Sequence, residues 1–265
     1  MIKGLIVTDL DGTLLDKSGR YSLYTRKKLL GLKEKGYAII IASGRPYRSM
    51  KDIYEDLGCA SYLIAYNGEL VFNPSDAKAE RIEAKLNKDA IKDIFLSTKS
   101  YIRSFMAETD EKIFIDKENP YLYRYFPKDG MALVKGDFDK TIDGDLYTCL
   151  FAHSHDVDGK LKATCESHAG IGWRSWRASD HSELYAEGFD KGYALNWIVS
   201  RLGLSKNDII AFGDADNDMT MLEEAGRAFV MKNTSSPILK SRFPITKYPV
   251  EEDGVIRQLE ELGLI

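Results

Sequence analysis

The sequence predicts an α/β protein, a doubly wound parallel sheet interrupted by an inserted α+β segment. Three observations lead to that expectation. Apolar, β-branched runs at 5–8, 37–42, 61–66 and 208–212 contain no Pro and stop at polar, Gly-bearing turns, as strands buried on both faces do. Helical patterns lie between the first runs and after the last, so strand and helix alternate as parallel pairing requires. From about 83 to 186 this rhythm is lost, and it resumes near Gly188.

The first strand runs into Asp9-Leu10-Asp11-Gly12-Thr13, and the polar stretch 14–24 is expected as a loop or flap over its end. A helix should follow over 25–35, with Thr25 as N-cap, Leu29, Leu30 and Leu32 inward and Gly36 closing it. The second strand ends at Ser43-Gly44-Arg45, and Pro46 opens a helix where its missing N–H does no harm. After the third strand, Asn67-Gly68 turns the chain and 69–72 folds back as a hairpin.

The inserted segment should hold a helix at 86–98 and strands at 103–107, 112–115, 146–152, 171–178 and 183–186. The aromatic-rich stretch 121–126 has no definite type. Asp190 then caps a helix over 191–202 with Ala194, Leu195 and Ile198 inward, and the strand 208–212 leads to Gly213-Asp214-Ala215-Asp216-Asn217-Asp218. A helix at 218–225, a strand at 228–231 and a helix at 254–262 complete a Rossmann-like core. That core is discontinuous, 1–82 and 187–265, and the inserted domain is 83–186.

Composition narrows the function. Apolar residues make up 44% and charged residues 29%, so the chain can bury a core and is not disordered. A net charge of -4 disfavours nucleic acid, whose binding needs clustered cations. No apolar run approaches the ~20 residues of a membrane span, and no basic, apolar leader opens the sequence. The three scattered cysteines argue against a disulfide framework, and the expected location is the cytoplasm. Cys149, His153, His155, Cys165 and His168 lack the paired spacing of a zinc site, and His153 and His155 read as surface residues.

The chemistry gathers at strand ends. Asp9 and Asp11 repel each other unless a cation or a proton lies between them, and the carboxyl edge of such a sheet is where ligands bind. Ser43 and the Gly44 amide can donate to an anion, whereas the pair by itself reads equally as a turn. Lys191 by itself is an ordinary surface lysine, and Asp214 to Asp218 an acidic loop.

Together and in this order, Asp9-Leu10-Asp11-Gly12-Thr13, Ser43, Lys191-Gly192 and Gly213-Asp214 through Met221-Leu222 resemble the haloacid dehalogenase superfamily, with its DxDGT signature and the GDxxNDxxML pattern of the Cof-like branch. The resemblance implies a Mg2+-dependent phosphatase with a type IIB cap at 83–186, acting on a small phosphorylated metabolite such as a sugar phosphate. It assigns Asp9 as nucleophile, Asp11 as general acid and base, and Lys191 as the balancing cation. Asp9, Asp214 and the main chain of Asp11 would bind the metal, Asp218 would orient that shell, and Asp216 would be a solvated acid. Ser43, Gly44 and Lys191 would hold phosphate, Asn217 would bond phosphate or Lys191, and Arg45 would hold the substrate or the cap. Trp173, Arg174, Trp176 and Arg177 read either as packing of the inserted domain or as contacts to a sugar or base. Two rival readings are a phosphomannomutase-like phosphotransferase and a non-catalytic sugar-phosphate-binding module. Oligomeric state is not encoded in any of these motifs.

Overall fold

The computed structural model describes residues 2–120, 122, 130–176 and 179–265. It divides into two compact units, Met1–Ile82 with Asp190–Ile265, and Glu83–Phe189.

In the first unit β1 (Gly4–Thr8) is buried throughout, as its unbroken apolar composition requires. The helix α1 (Leu23–Glu34) carries the chain to β2 (Tyr37–Ile41), which pairs with β1 in parallel from Gly4↔Tyr37 to Thr8↔Ile41. The N-cap of α1 is Ser22 rather than Thr25, because the extended Ser22 brings its Oγ to the Thr25 N–H at 2.9 Å. Leu29 and Leu32 are fully buried, and Leu30 only partly. Beyond β2, Pro46 opens a single 3₁₀ turn, Tyr47–Ser49, before the short α2 (Lys51–Asp56). Then β3 (Leu63–Ala65) and β4 (Leu70–Phe72) form the antiparallel hairpin.

The second unit opens with α3 (Lys88–Thr98), followed by β5 (Ser104–Glu108), β6 (Lys112–Ile115), β7 (Ala132–Lys135) and α4 (Phe138–Thr141). After β8 (Thr148–Ala152), α5 (Asp158–Glu166) crosses to the hairpin of β9 (Ile171–Trp176) and β10 (His181–Ala186). The six strands lie in the order β9-β10-β8-β5-β6-β7, and only β6 and β7 are parallel. Phe105, Phe138 and Phe151 anchor its core, with ring centroids of Phe105 and Phe138 4.3 Å apart. The expectations missed α5 because its only buried side chains are Leu161 and Cys165, too few to mark a helical face.

His153 corrects its expected surface position. It is fully buried, with Nε2 3.0 Å from Ser182 Oγ and Nδ1 3.0 Å from the Ser154 carbonyl, whereas His155 is exposed. Trp173 packs against the core of this unit, and Arg174 pairs with Glu183 at 2.9 Å. Most of the aromatic stretch 121–126, and Arg177, lie outside the described residues.

The chain returns through α6 (Lys191–Leu202), capped by Asp190 Oδ1, which accepts from the Tyr193 N–H at 2.8 Å. Next, β11 (Ile209–Gly213) inserts between β1 and β12 (Arg227–Val230), so the all-parallel sheet has the order β12-β11-β1-β2. α7 (Met219–Glu223), α8 (Pro237–Arg242) and α9 (Gly254–Glu261) finish the unit. Because Thr8 pairs with Phe212, the residues just after β1 and β11 emerge side by side. All three cysteines are buried, and no helix among the described residues is long and apolar enough to cross a membrane.

Candidate active site

Asp9 follows the last residue of β1, and its N–H donates to the Phe212 carbonyl at 3.0 Å, which locks it to the end of β11. Lys191 stands at the first position of α6 and is wholly buried. Its ammonium donates to Asp9 Oδ1 at 2.6 Å and to Asp218 Oδ1 at 2.7 Å. Burial opposes the charge on Lys191, but Asp218 and Asp9 outweigh it and hold the ammonium above the ordinary lysine range. Burial pushes the Asp9 carboxyl well above its usual range, Lys191 pulls against that, and Asp218 and Asp214 add to the rise. Among the described residues Asp9 Oδ2 has no hydrogen-bond partner.

Asp218 is fully committed. Its Oδ2 accepts from the Asp214 and Ala215 N–H groups at 2.9 and 3.0 Å, closing the loop after β11, while Oδ1 takes Lys191. Asp214 accepts from Thr13 Oγ1 at 3.0 Å, and burial with the neighbouring Asp218 pushes its carboxyl up to about 7. Gly12, at φ +84, makes this approach possible, since a Cβ there would lie 2.5 Å from Asp214 Oδ2.

Asp9, Asp214 and Asp218 each place an oxygen within 4.8 Å of the others. Three carboxylates share the one Lys191 ammonium, and the raised Asp9 and Asp214 carboxyls are what an undercompensated cluster produces. An all-oxygen set of this kind fits a hard divalent cation.

Asp11 points elsewhere. Its carboxylate is largely exposed and receives the Arg45 fork, Nε at 2.8 Å and Nη2 at 2.5 Å. Ser43 is buried, and its Oγ accepts from the Arg45 N–H at 3.2 Å. The Gly44 N–H has no acceptor among the described residues. Asn217 donates through Nδ2 to Asn67 Oδ1 at 2.8 Å, so among the described residues it bonds neither Lys191 nor the carboxylates. Asp216 is exposed, and the Ser236 hydroxyl donates to it.

The sequence expectations missed the segment after β12. Asn233 donates to the Gly12 carbonyl at 2.7 Å and accepts from the Val250 N–H at 3.0 Å. The Thr234 hydroxyl donates to the Asp214 carbonyl. Two neighbouring side chains thereby clamp both acidic loops. Residues 232–235 carry no motif, because their partners are main-chain groups that leave no mark in the sequence.

Residues 6–259 match the family described as haloacid dehalogenase-like hydrolase. The chain is 32% identical over 263 residues to a 5-amino-6-(5-phospho-D-ribitylamino)uracil phosphatase of Bacillus subtilis, covering 97% of this chain and 96% of that one. It is 30% identical over 243 residues to an HMP-PP phosphatase of Escherichia coli O6:H1, covering 91% and 88%. A haloacid dehalogenase-like hydrolase from Bacteroides thetaiotaomicron superposes with a TM-score of 0.83 at 25% identity, over 98% of this chain and 99% of that one.

Proposed function

The chain belongs to the haloacid dehalogenase-like hydrolase family, as one of its phosphatases, and on that premise we propose that it hydrolyses small phosphorylated metabolites, sugar phosphates among them, through an aspartyl-phosphate on Asp9. The observation that carries this reading is the division of labour on one carboxylate. Asp9 Oδ1 is tied to the buried Lys191 ammonium, and Oδ2 is left for phosphorus.

Attack of Asp9 Oδ2 on phosphorus breaks the bond to the leaving oxygen, which takes its proton from Asp11. Asp11, now a carboxylate, removes a proton from water. That water attacks the aspartyl-phosphate, releasing phosphate and restoring Asp9. The Arg45 fork fixes the orientation of the Asp11 carboxylate, and Asp11 takes up the proton for this role only when that pair loosens. Lys191 pulls Asp9 toward its ionised form and holds it in place, while the Ser43 hydroxyl and the Gly44 N–H donate to the phosphoryl oxygens.

Asp9 and Asp214, with the main-chain carbonyl of Asp11, would hold Mg2+, and Asp218, both of whose oxygens are already used, would steady Lys191 and the Asp214 loop. Bound there, the cation offsets charge on the phosphoryl group.

The test is phosphate release from 4-nitrophenyl phosphate, a sugar-phosphate panel and the phosphorylated compounds named for the two relatives, with Mg2+ or EDTA, for wild type and Asp9→Asn. Release that requires both Mg2+ and Asp9 supports the proposal. Conversion of a hexose 1-phosphate into its 6-phosphate without free phosphate would replace it with phosphotransfer.

A further inference from the structure

We propose that Asn67 is a phosphoryl-binding residue of this site, an inference that rests on the phosphatase reading above. In the sequence Asn67-Gly68 announces only a turn, and the structure shows what the turn holds. Tyr66 and Asn67 both adopt left-handed backbone, at φ 47 and 56, which a non-Gly residue keeps only where its surroundings enforce it. Here they do. The Asn67 N–H donates to the Ser43 carbonyl at 3.0 Å, and its Oδ1 accepts from Asn217 Nδ2 at 2.8 Å. Asn67 therefore bridges the loop after β2, through its main-chain N–H, and the loop after β11, through its side chain.

That bridge aims the other half of the amide. Asn67 is only 8% exposed, yet its Nδ2 hydrogens have no acceptor among the described residues. Those hydrogens are therefore open to a ligand, in a residue otherwise enclosed by the fold. The space beside it is defined by Gly44. A Cβ on Gly44 would lie 3.0 Å from Asn67 Nδ2 and 3.2 Å from Oδ1, so the amide rests against the Gly44 α-carbon, beside an N–H that also has no acceptor among the described residues. The two unused donors thus lie together at Gly44, the residue after Ser43, where the loop after β2 runs beside the end of β1. Neutral donors in such a group suit an oxyanion, and the tie to Asn217 keeps Nδ2 turned toward it.

The test measures inorganic phosphate binding by titration calorimetry in Mg2+, alongside KM for 4-nitrophenyl phosphate and the thermal midpoint. Asn67→Asp keeps the shape and the acceptor for Asn217 but replaces the donor with an anionic oxygen. Phosphate binding should weaken and KM rise by about tenfold or more, with the midpoint little changed. Asn67→Gly, which suits the left-handed backbone, removes the amide alone and should weaken phosphate binding by roughly three- to tenfold. Phosphate affinities within about twofold of wild type in either folded variant would overturn the proposal, since a net hydrogen bond is worth more than that. Hydrolysis that depends on Asp9 but is matched by unaltered phosphate binding in the Asn67 variants defeats this assignment alone. A wild-type protein that neither hydrolyses nor binds phosphate defeats both readings.

Discussion

The Lys191 ammonium lies 2.6 Å from Asp9 Oδ1, joining two buried positions 182 residues apart. Neither residue could be buried alone. A lysine without carboxylates would lose its proton there, and a carboxylate without a cation would gain one. The contact is therefore a folding constraint, and on the proposed mechanism it also favours the ionised form of Asp9.

Replacing Asp9 with Asn should abolish turnover and keep the fold. The amide oxygen can still accept from Lys191, and one of three crowded carboxylates becomes neutral. Phosphate release below background, with circular dichroism and thermal midpoint close to wild type, is the expected result.

Lys191→Met should be far more damaging to stability. It strands Asp9 and Asp218 without their cation, and breaking a buried ion pair from one side costs about 3–5 kcal/mol. Urea unfolding in EDTA should show the midpoint falling accordingly, and the Asp9→Asn change added to it should recover part of the loss.

Gly12→Ala probes the close approach of the two acidic loops. The left-handed φ alone costs about 1–2 kcal/mol. The added Cβ would also sit 2.5 Å from Asp214 Oδ2 and push that carboxylate aside. A displacement of that kind should lower kcat/KM by about 100-fold, beyond what the stability change explains.

Divalent metal should stabilise the protein. A cation bound only by the folded cluster contributes about 2.7 kcal/mol at 100 times its Kd, so Mg2+ should raise the thermal midpoint and EDTA reverse it. Asp214→Asn should remove most of that shift. An equal Mg2+ effect in the variant would move the cation elsewhere.

The cysteines should be inert in the native state. Burial pushes the Cys59 and Cys165 thiols up to about 12, and Cys149 is fully enclosed. At pH 8 the thiolate fraction of Cys59 and Cys165 is negligible and Cys149 is sealed from reagent, so alkylation should be slow in buffer and should reach all three in denaturant.

Most of the core was legible because its strands are short, apolar and closed by Gly-containing turns, and because Asp190 caps the Lys191 helix by a local bond. Local rules faltered where two choices were near equal. Ser22 and Thr25 are both fit N-caps, and only the geometry of the preceding backbone selects Ser22. His153 looks like a polar strand end, yet Ser182, a partner 29 residues away, lets it be buried.

By itself the sequence determined the α/β rhythm of the core, the acids that close β1 and β11, and the lysine that opens α6, since each is a matter of residue type and short spacing. Tertiary structure alone decided which oxygens are spent and which remain. Asp218 is consumed by Lys191 and two main-chain amides, Asp11 is held by Arg45, and Asn67, Asn233 and Thr234 fasten loops distant in sequence. Hydrogen bonds to main-chain groups and to remote side chains are saturated only when the strands come into register, so their partners exist in the fold and nowhere in the local sequence.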